Sequence, residues 1–150
     1  MTSAPNRRSP RRYVLDANAL SGFFEDREGI AGKVEKLLSE ALLKSSPLLM
    51  SAVNWGEVFY ITWRRHGEAR AQKAELRLRE LPILVIAADR ERASRAGALK
   101  QKHALGYADA YAAELAIERE ALLVTADPEF QKVGKALALY PLPRHESSRQ

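Results

Sequence analysis

At 150 residues and 16.8 kDa the chain has room for one domain with a real core, and 46% hydrophobic residues suit a globular fold. Its purely apolar runs are only a few residues long, which excludes a membrane-spanning helix, and the lack of cysteine excludes disulfides and thiolate metal sites. The balance is basic, 24 Lys plus Arg against 19 Asp plus Glu with a pI near 9.6, so a polyanionic partner is admissible. The absence of cysteine also suits a reducing compartment, and the expected location is the cytoplasm.

Residues 1–12 carry Arg7, Arg8, Arg11 and Arg12 with no apolar stretch behind them, so they read as a flexible basic arm and not as a secretory signal. Tyr13-Val14-Leu15 is a short buried-type strand that ends at Asp16, which is expected in a partly buried turn over Ala17-Asn18-Ala19-Leu20. Ile30, Val34, Leu37, Leu38, Ala41 and Leu42 recur at helical spacing until Ser45-Ser46-Pro47 interrupts them. A second strand is expected over 48–51. Trp55, Val58, Phe59, Thr62 and Trp63 then mark an amphipathic helix that stops at His66-Gly67, with Glu57 at the edge of the stripe. Ala71, Ala74, Leu78 and Leu81 mark another, ended by Pro82.

The run 83–86 is apolar throughout, as a parallel strand covered on both faces would be. Asp89 caps a helix reaching about Leu105 before Gly106, an alanine-rich helix follows over 109–120, and a fourth strand lies over 122–125. Asp127-Pro128 opens a helical turn, and a last strand is possible over 137–140. Residues 141–150 read as a polar tail, which leaves one domain over 13–140. Repeated βα alternation predicts a three-layer α/β/α sandwich with a mostly parallel central sheet.

Asp16, Glu57, Asp109 and Asp127 sit at strand ends or in the first turns of the following helices. In an open parallel sheet those points face one crevice, so acids far apart in sequence meet in space. Two unit charges 4 Å apart repel by about 4 kcal/mol at an effective dielectric near 20. Such a cluster needs shared protons or a cation, and hard oxygen ligands suit Mg²⁺ or Mn²⁺. Each acid also has a structural alternative: Asp127 as a helix cap, Asp109 as a favourable charge at a helix start, Glu57 as a surface residue. Asp16 is the hardest to explain in that way, because an unpaired charge at the end of an apolar strand is costly.

Cations gather in two stretches, Arg64, Arg65, Arg70, Lys73, Arg77 and Arg79, then Arg90, Arg92, Arg95, Lys100 and Lys102. They fit a phosphodiester substrate beside a metal-loaded pocket, or simply two solvated helix faces. His66, His103 and His145 form no ligand-like pair, which speaks against zinc.

Asp16-Ala17-Asn18-Ala19-Leu20, Ser51 to Glu57, Tyr107-Ala108-Asp109-Ala110 and Val124 to Phe130 resemble, in order, the four motif blocks of PIN-domain ribonucleases, and the compact size is similar to the VapC-type toxins of toxin–antitoxin pairs. The resemblance implies an endoribonuclease using Mg²⁺ or Mn²⁺ to activate water. Asp16, Glu57, Asp109 and Asp127 would be its catalytic and metal-binding acids. It further implies that Asn18 and Thr125 support the carboxylates and that Lys100 meets a phosphate. Ala17 departs from the Ser or Thr usual at its position. The implied partners are RNA, a cognate antitoxin lying in a groove between helices, and a second copy of the chain. Phe23, Phe24, Trp55, Phe59 and Trp63 are candidates for docking the antitoxin or for the core. A catalytically inactive binding module and a structure-specific DNA nuclease are the alternatives. Aspartyl phosphatases of the haloacid-dehalogenase type want Asp where Asn18 stands, and receiver domains want a Lys after the late strand; both are absent here.

Overall fold

The computed structural model describes residues 11–144, so most of the basic arm and of the tail lies outside the described residues. The apolar runs form five strands: β1 (Tyr13–Leu15), β2 (Leu48–Ser51), β3 (Ile83–Ile86), β4 (Leu122–Thr125) and β5 (Leu139–Pro141). Between them lie α1 (Ala17–Phe24), α2 (Ala31–Leu43), α3 (Ala52–His66), α4 (Glu68–Arg79), α5 (Arg90–His103) and α6 (Tyr107–Glu118), and a 3-10 stretch covers Pro128–Ala136. All strand pairs are parallel, in the order β3-β2-β1-β4-β5.

Strand alternation feeds two cores. Val14, Leu49 and Leu123 point to one face, against α5, α6 and the 3-10 stretch, in a cluster with Leu105, Leu115 and Phe130. Leu15, Met50 and Val124 point to the other, against α1–α4, in a cluster with Leu20, Ile30, Val34 and Leu78. This is the expected α/β/α sandwich. The chain winds outward from β1 through β2 to β3, then crosses back to place β4 on the other side of β1. That reversal is the topological switch point, where strand ends open a crevice.

Several local expectations are corrected. Asp16 does not lead into a turn. It N-caps α1, in extended conformation (φ −79°, ψ 156°), and its carboxylate accepts from Ala17 N–H. α1 packs so close to the following segment that a Cβ on Gly22 would stand 2.7 Å from Ile30 Cγ2. Leu42, counted in the buried stripe of α2, is 70% exposed in the last turn of that helix. β3 is apolar throughout but lies at the sheet edge, with Leu84 and Val85 open to solvent. α5 ends at His103 with Ala104 in the left-handed region (φ 54°), and Gly106 precedes α6 as its N-cap instead of closing α5. Pro141 pairs with Thr125 in β5 and Leu142 is buried, so the ordered fold continues into the segment read as tail.

Candidate active site at the strand ends

Four elements deliver one acid each. Asp16 follows β1 at the switch point. Ser51 ends β2 and caps α3 directly, its hydroxyl accepting from Val53 N–H, so Glu57 arrives on the second turn. Asp109 lies in the first turn of α6, and Asp127 follows β4 and caps the 3-10 stretch through Glu129 N–H. The carboxylates of all four line a single pocket of about 180 Å³, together with Asn18, Ser21, Arg27 and Arg65.

Asp16 is buried, and its two oxygens are held: Oδ1 accepts from Ala17 N–H at 2.8 Å and Oδ2 from the Thr125 hydroxyl at 2.8 Å. The same hydroxyl accepts from Asn18 Nδ2 at 3.2 Å and from Asp127 N–H at 3.0 Å, while Asn18 Oδ1 accepts from Ala126 N–H. The ends of β1 and β4 are thus tied together through the residues that fix Asp16. Asn18 and Thr125, the two polar positions singled out in the sequence, both belong to this hydrogen-bonded set.

Glu57 is oriented by a residue not singled out from the sequence. Asn54, fully buried, donates to Glu57 Oε1 at 2.8 Å and to the Ala108 carbonyl at 3.1 Å, joining α3 to the start of α6. A polar residue one turn before an acid, on a helix otherwise apolar there, was the available signal. Lys100 is not among the pocket-lining residues; its ammonium donates to the Leu105 carbonyl and closes the α5–α6 turn. Arg27 and Arg65, by contrast, do line the pocket.

Burial pushes the Asp16 carboxyl up to about 7; the Asp109 charge adds to this, the Thr125 hydrogen bond opposes it, and Glu57 adds a little more. Asp109 is raised to about 6, by burial first and then by Asp127, Glu57 and Glu129. Glu57 is raised by burial against the hydrogen bond from Asn54. Crowded carboxylates that resist ionising are a stored affinity for a cation or for protons. The donor set fits a hard divalent ion: all acidic oxygens, mutually repelling, with the buried Ser21 hydroxyl unpartnered at the same pocket. The four acids share one pocket, and among the described residues no three acidic or histidine side chains stand close enough together to hold a metal ion as placed.

A five-stranded parallel sheet with acids from four elements at its switch point defines an α/β protein built around an acidic crevice. The PIN domain family matches residues 13–136, and the chain belongs to that family. Its fold is similar to that of VapBC2 from Rickettsia felis, solved bound to a DNA fragment from its promoter (TM-score 0.66, 19% identity, 87% of this chain and 98% of that one). It is also similar to VapC20 from Mycobacterium tuberculosis, described as a sarcin–ricin-loop-cleaving toxin (0.65, 16%, 81% and 95%). A protein from Pyrobaculum aerophilum, PAE2754, is a further likeness (0.64, 18%, 86% and 89%). Comparison with curated protein sequences returns no match.

Proposed function

We propose that the protein is a Mg²⁺- or Mn²⁺-dependent endoribonuclease and the toxin of a toxin–antitoxin pair. The observation that carries this is the convergence of Asp16, Glu57, Asp109 and Asp127 on one pocket at the switch point. Membership of a nuclease family and likeness in fold to VapC proteins support it.

Asp16, Asp109, Glu57 and Asp127 would hold the cation. Once bound, it would supply an acidified water and offset charge developing on the scissile phosphate. The chain's own part is positioning. Thr125 and Ala17 N–H keep both Asp16 oxygens from rotating, and Asn54 holds Glu57 toward the pocket. The depth of Asp16 excludes bulk water from its carboxylate, which strengthens each charge interaction made there. For partners, Tyr60 and Trp63 remain about half exposed on α3 and support a protein-binding face for an antitoxin or a second copy; Phe23, Phe24 and Trp55 instead pack against the core.

The test is cleavage of labelled single-stranded RNA with Mn²⁺ or Mg²⁺. Cleavage that EDTA stops and Asp16→Asn lowers at least a thousandfold, with the fold intact by circular dichroism, is the expected result. Tight RNA binding with no cleavage under either ion would replace the enzyme by a binding module, and preferential cutting of flap DNA would replace the substrate.

A further inference from the structure

Glu25, just beyond α1, is ringed by cations. Arg27 donates to Oε2 through Nε (2.9 Å) and Nη2 (2.6 Å), Arg65 donates to Oε1 through Nη1 (2.9 Å), and His66 Nε2 lies 3.6 Å from Oε1. Both arginines line the carboxylate pocket, yet among the described residues their ion pairs go to Glu25 and none to the four acids. Left free, such an arginine would gain about 4 kcal/mol by collapsing to 4 Å from one of those carboxylates at an effective dielectric near 20, and would cancel it. Glu25 engages both arginines, which thus stand side by side in the pocket wall.

Glu25 also lines a groove of about 530 Å³ between α1 and α3–α4, where Asp26 stands with it against Arg70, Lys73 and Arg77. None of these three makes an ion pair among the described residues. Ser21 lines both the groove and the acid pocket, so the two cavities adjoin at that residue. A planar guanidinium fork matches phosphate oxygens, and a pre-oriented fork loses less entropy on binding than a free one.

We propose that Glu25 is a positioning residue that presents Arg27 and Arg65 as a clamp for a phosphate next to the scissile one, with the strand's backbone continuing along the Arg70–Lys73–Arg77 groove. This rests on the nuclease reading and deepens it by assigning the path of the RNA. A polyanion is favoured over an acidic peptide because its evenly repeated phosphates would meet the clamp and then the three groove cations in turn, along two adjoining cavities.

The decisive variant is Glu25→Gln. Removing a negative charge beside a polyanion site would tighten binding by simple electrostatics, whereas loss of the clamp weakens it. In an Asp16→Asn background with Mg²⁺, anisotropy of labelled single-stranded RNA is expected to show at least threefold weaker binding for Glu25→Gln. Arg70→Ala/Lys73→Ala/Arg77→Ala is expected to bind at least tenfold more weakly at 0.1 M salt. Its slope of log affinity against log salt should fall by about 2, since each phosphate contact on a single strand contributes about 0.7. If Glu25→Gln fails to fold, Arg27→Lys/Arg65→Lys keeps the charge, removes the fork and must weaken binding likewise. Unchanged or tighter RNA binding by these variants overturns the proposal, as does a groove triple variant that loses an acidic peptide and not RNA. Mn²⁺-dependent hydrolysis of bis(p-nitrophenyl) phosphate by the wild type tests the acid site separately. Absence of that hydrolysis with the binding pattern intact removes the nuclease reading and leaves the clamp standing.

Discussion

Thr125 does at the scale of one side chain what the site requires of the whole fold: its hydroxyl donates to Asp16 and accepts from Asn18 and Asp127 N–H. Thr125→Val keeps the shape and leaves three polar groups short of a partner. It should destabilise the protein by about 1–3 kcal/mol, a typical cost for buried groups that lose a hydrogen bond. Because that hydrogen bond lowers the Asp16 pKa, its loss should hurt more at pH 8 than at pH 5. Urea unfolding at the two pH values checks this, and an equal loss at both would mean the hydroxyl does not serve the carboxylate. Asn54→Leu should preserve packing but release Glu57, lowering activity with little change in RNA affinity. Separate kcat and binding measurements decide it.

At the scale of elements, close approach and buried charge set the tolerances. The 2.7 Å separation between a Cβ on Gly22 and Ile30 Cγ2 leaves no room between α1 and the start of α2, and Ile30 is itself buried. Gly22→Ala should therefore cost about 1–3 kcal/mol as overpacking, although alanine favours helix. A more stable variant by thermal melting would show that Ile30 moves aside freely. Across the sheet, α5 and α6 are joined by Glu114, buried and paired with Arg95 (2.9 Å) and Arg92 (3.3 Å). This separates two cation clusters that look alike in sequence. Arg92 and Arg95 are engaged with Glu114 and Glu118 on one face, whereas Arg65, Arg70, Lys73 and Arg77 stand at or beside the acid pocket.

For the molecule as a whole, the acid cluster ties stability to pH and to metal. Asp16 moves from 3.8 up to about 7 on folding, so the folded state favours its protonated form. Its contribution is complete below about pH 4 and is lost as the pH climbs through 7. Asp109, raised to about 6, acts in the same direction over a narrower window and is screened by its partial exposure. Glu25 is the opposite case. Partial burial raises its carboxyl, but hydrogen bonds from Arg65 and Arg27 outweigh this and hold it below the ordinary range, so its contribution is lost only in acid. Metal-free protein should thus be more stable at pH 5 than at pH 8, by on the order of 2–3 kcal/mol from Asp16. Mn²⁺ at pH 8 should raise the melting temperature by mass action, an effect that Asp16→Asn largely removes. A flat pH profile and a melting temperature indifferent to Mn²⁺ would contradict the cluster.

The strands over 48–51, 83–86 and 122–125, the helix pattern and the four acids were legible in the chain, because hydrophobic period and helix caps are written in neighbouring residues. α1 does not show in the sequence because its eight residues make only about two turns, too few for a helical period to declare itself. The edge position of β3, the Asn54 bridge and the placing of Arg27 and Arg65 beside the acids were decided only by tertiary structure. A local pattern states which residues prefer burial or a given period. Which buried groups face one another, and which charges are already satisfied, depends on strand order and helix packing between segments far apart in the chain.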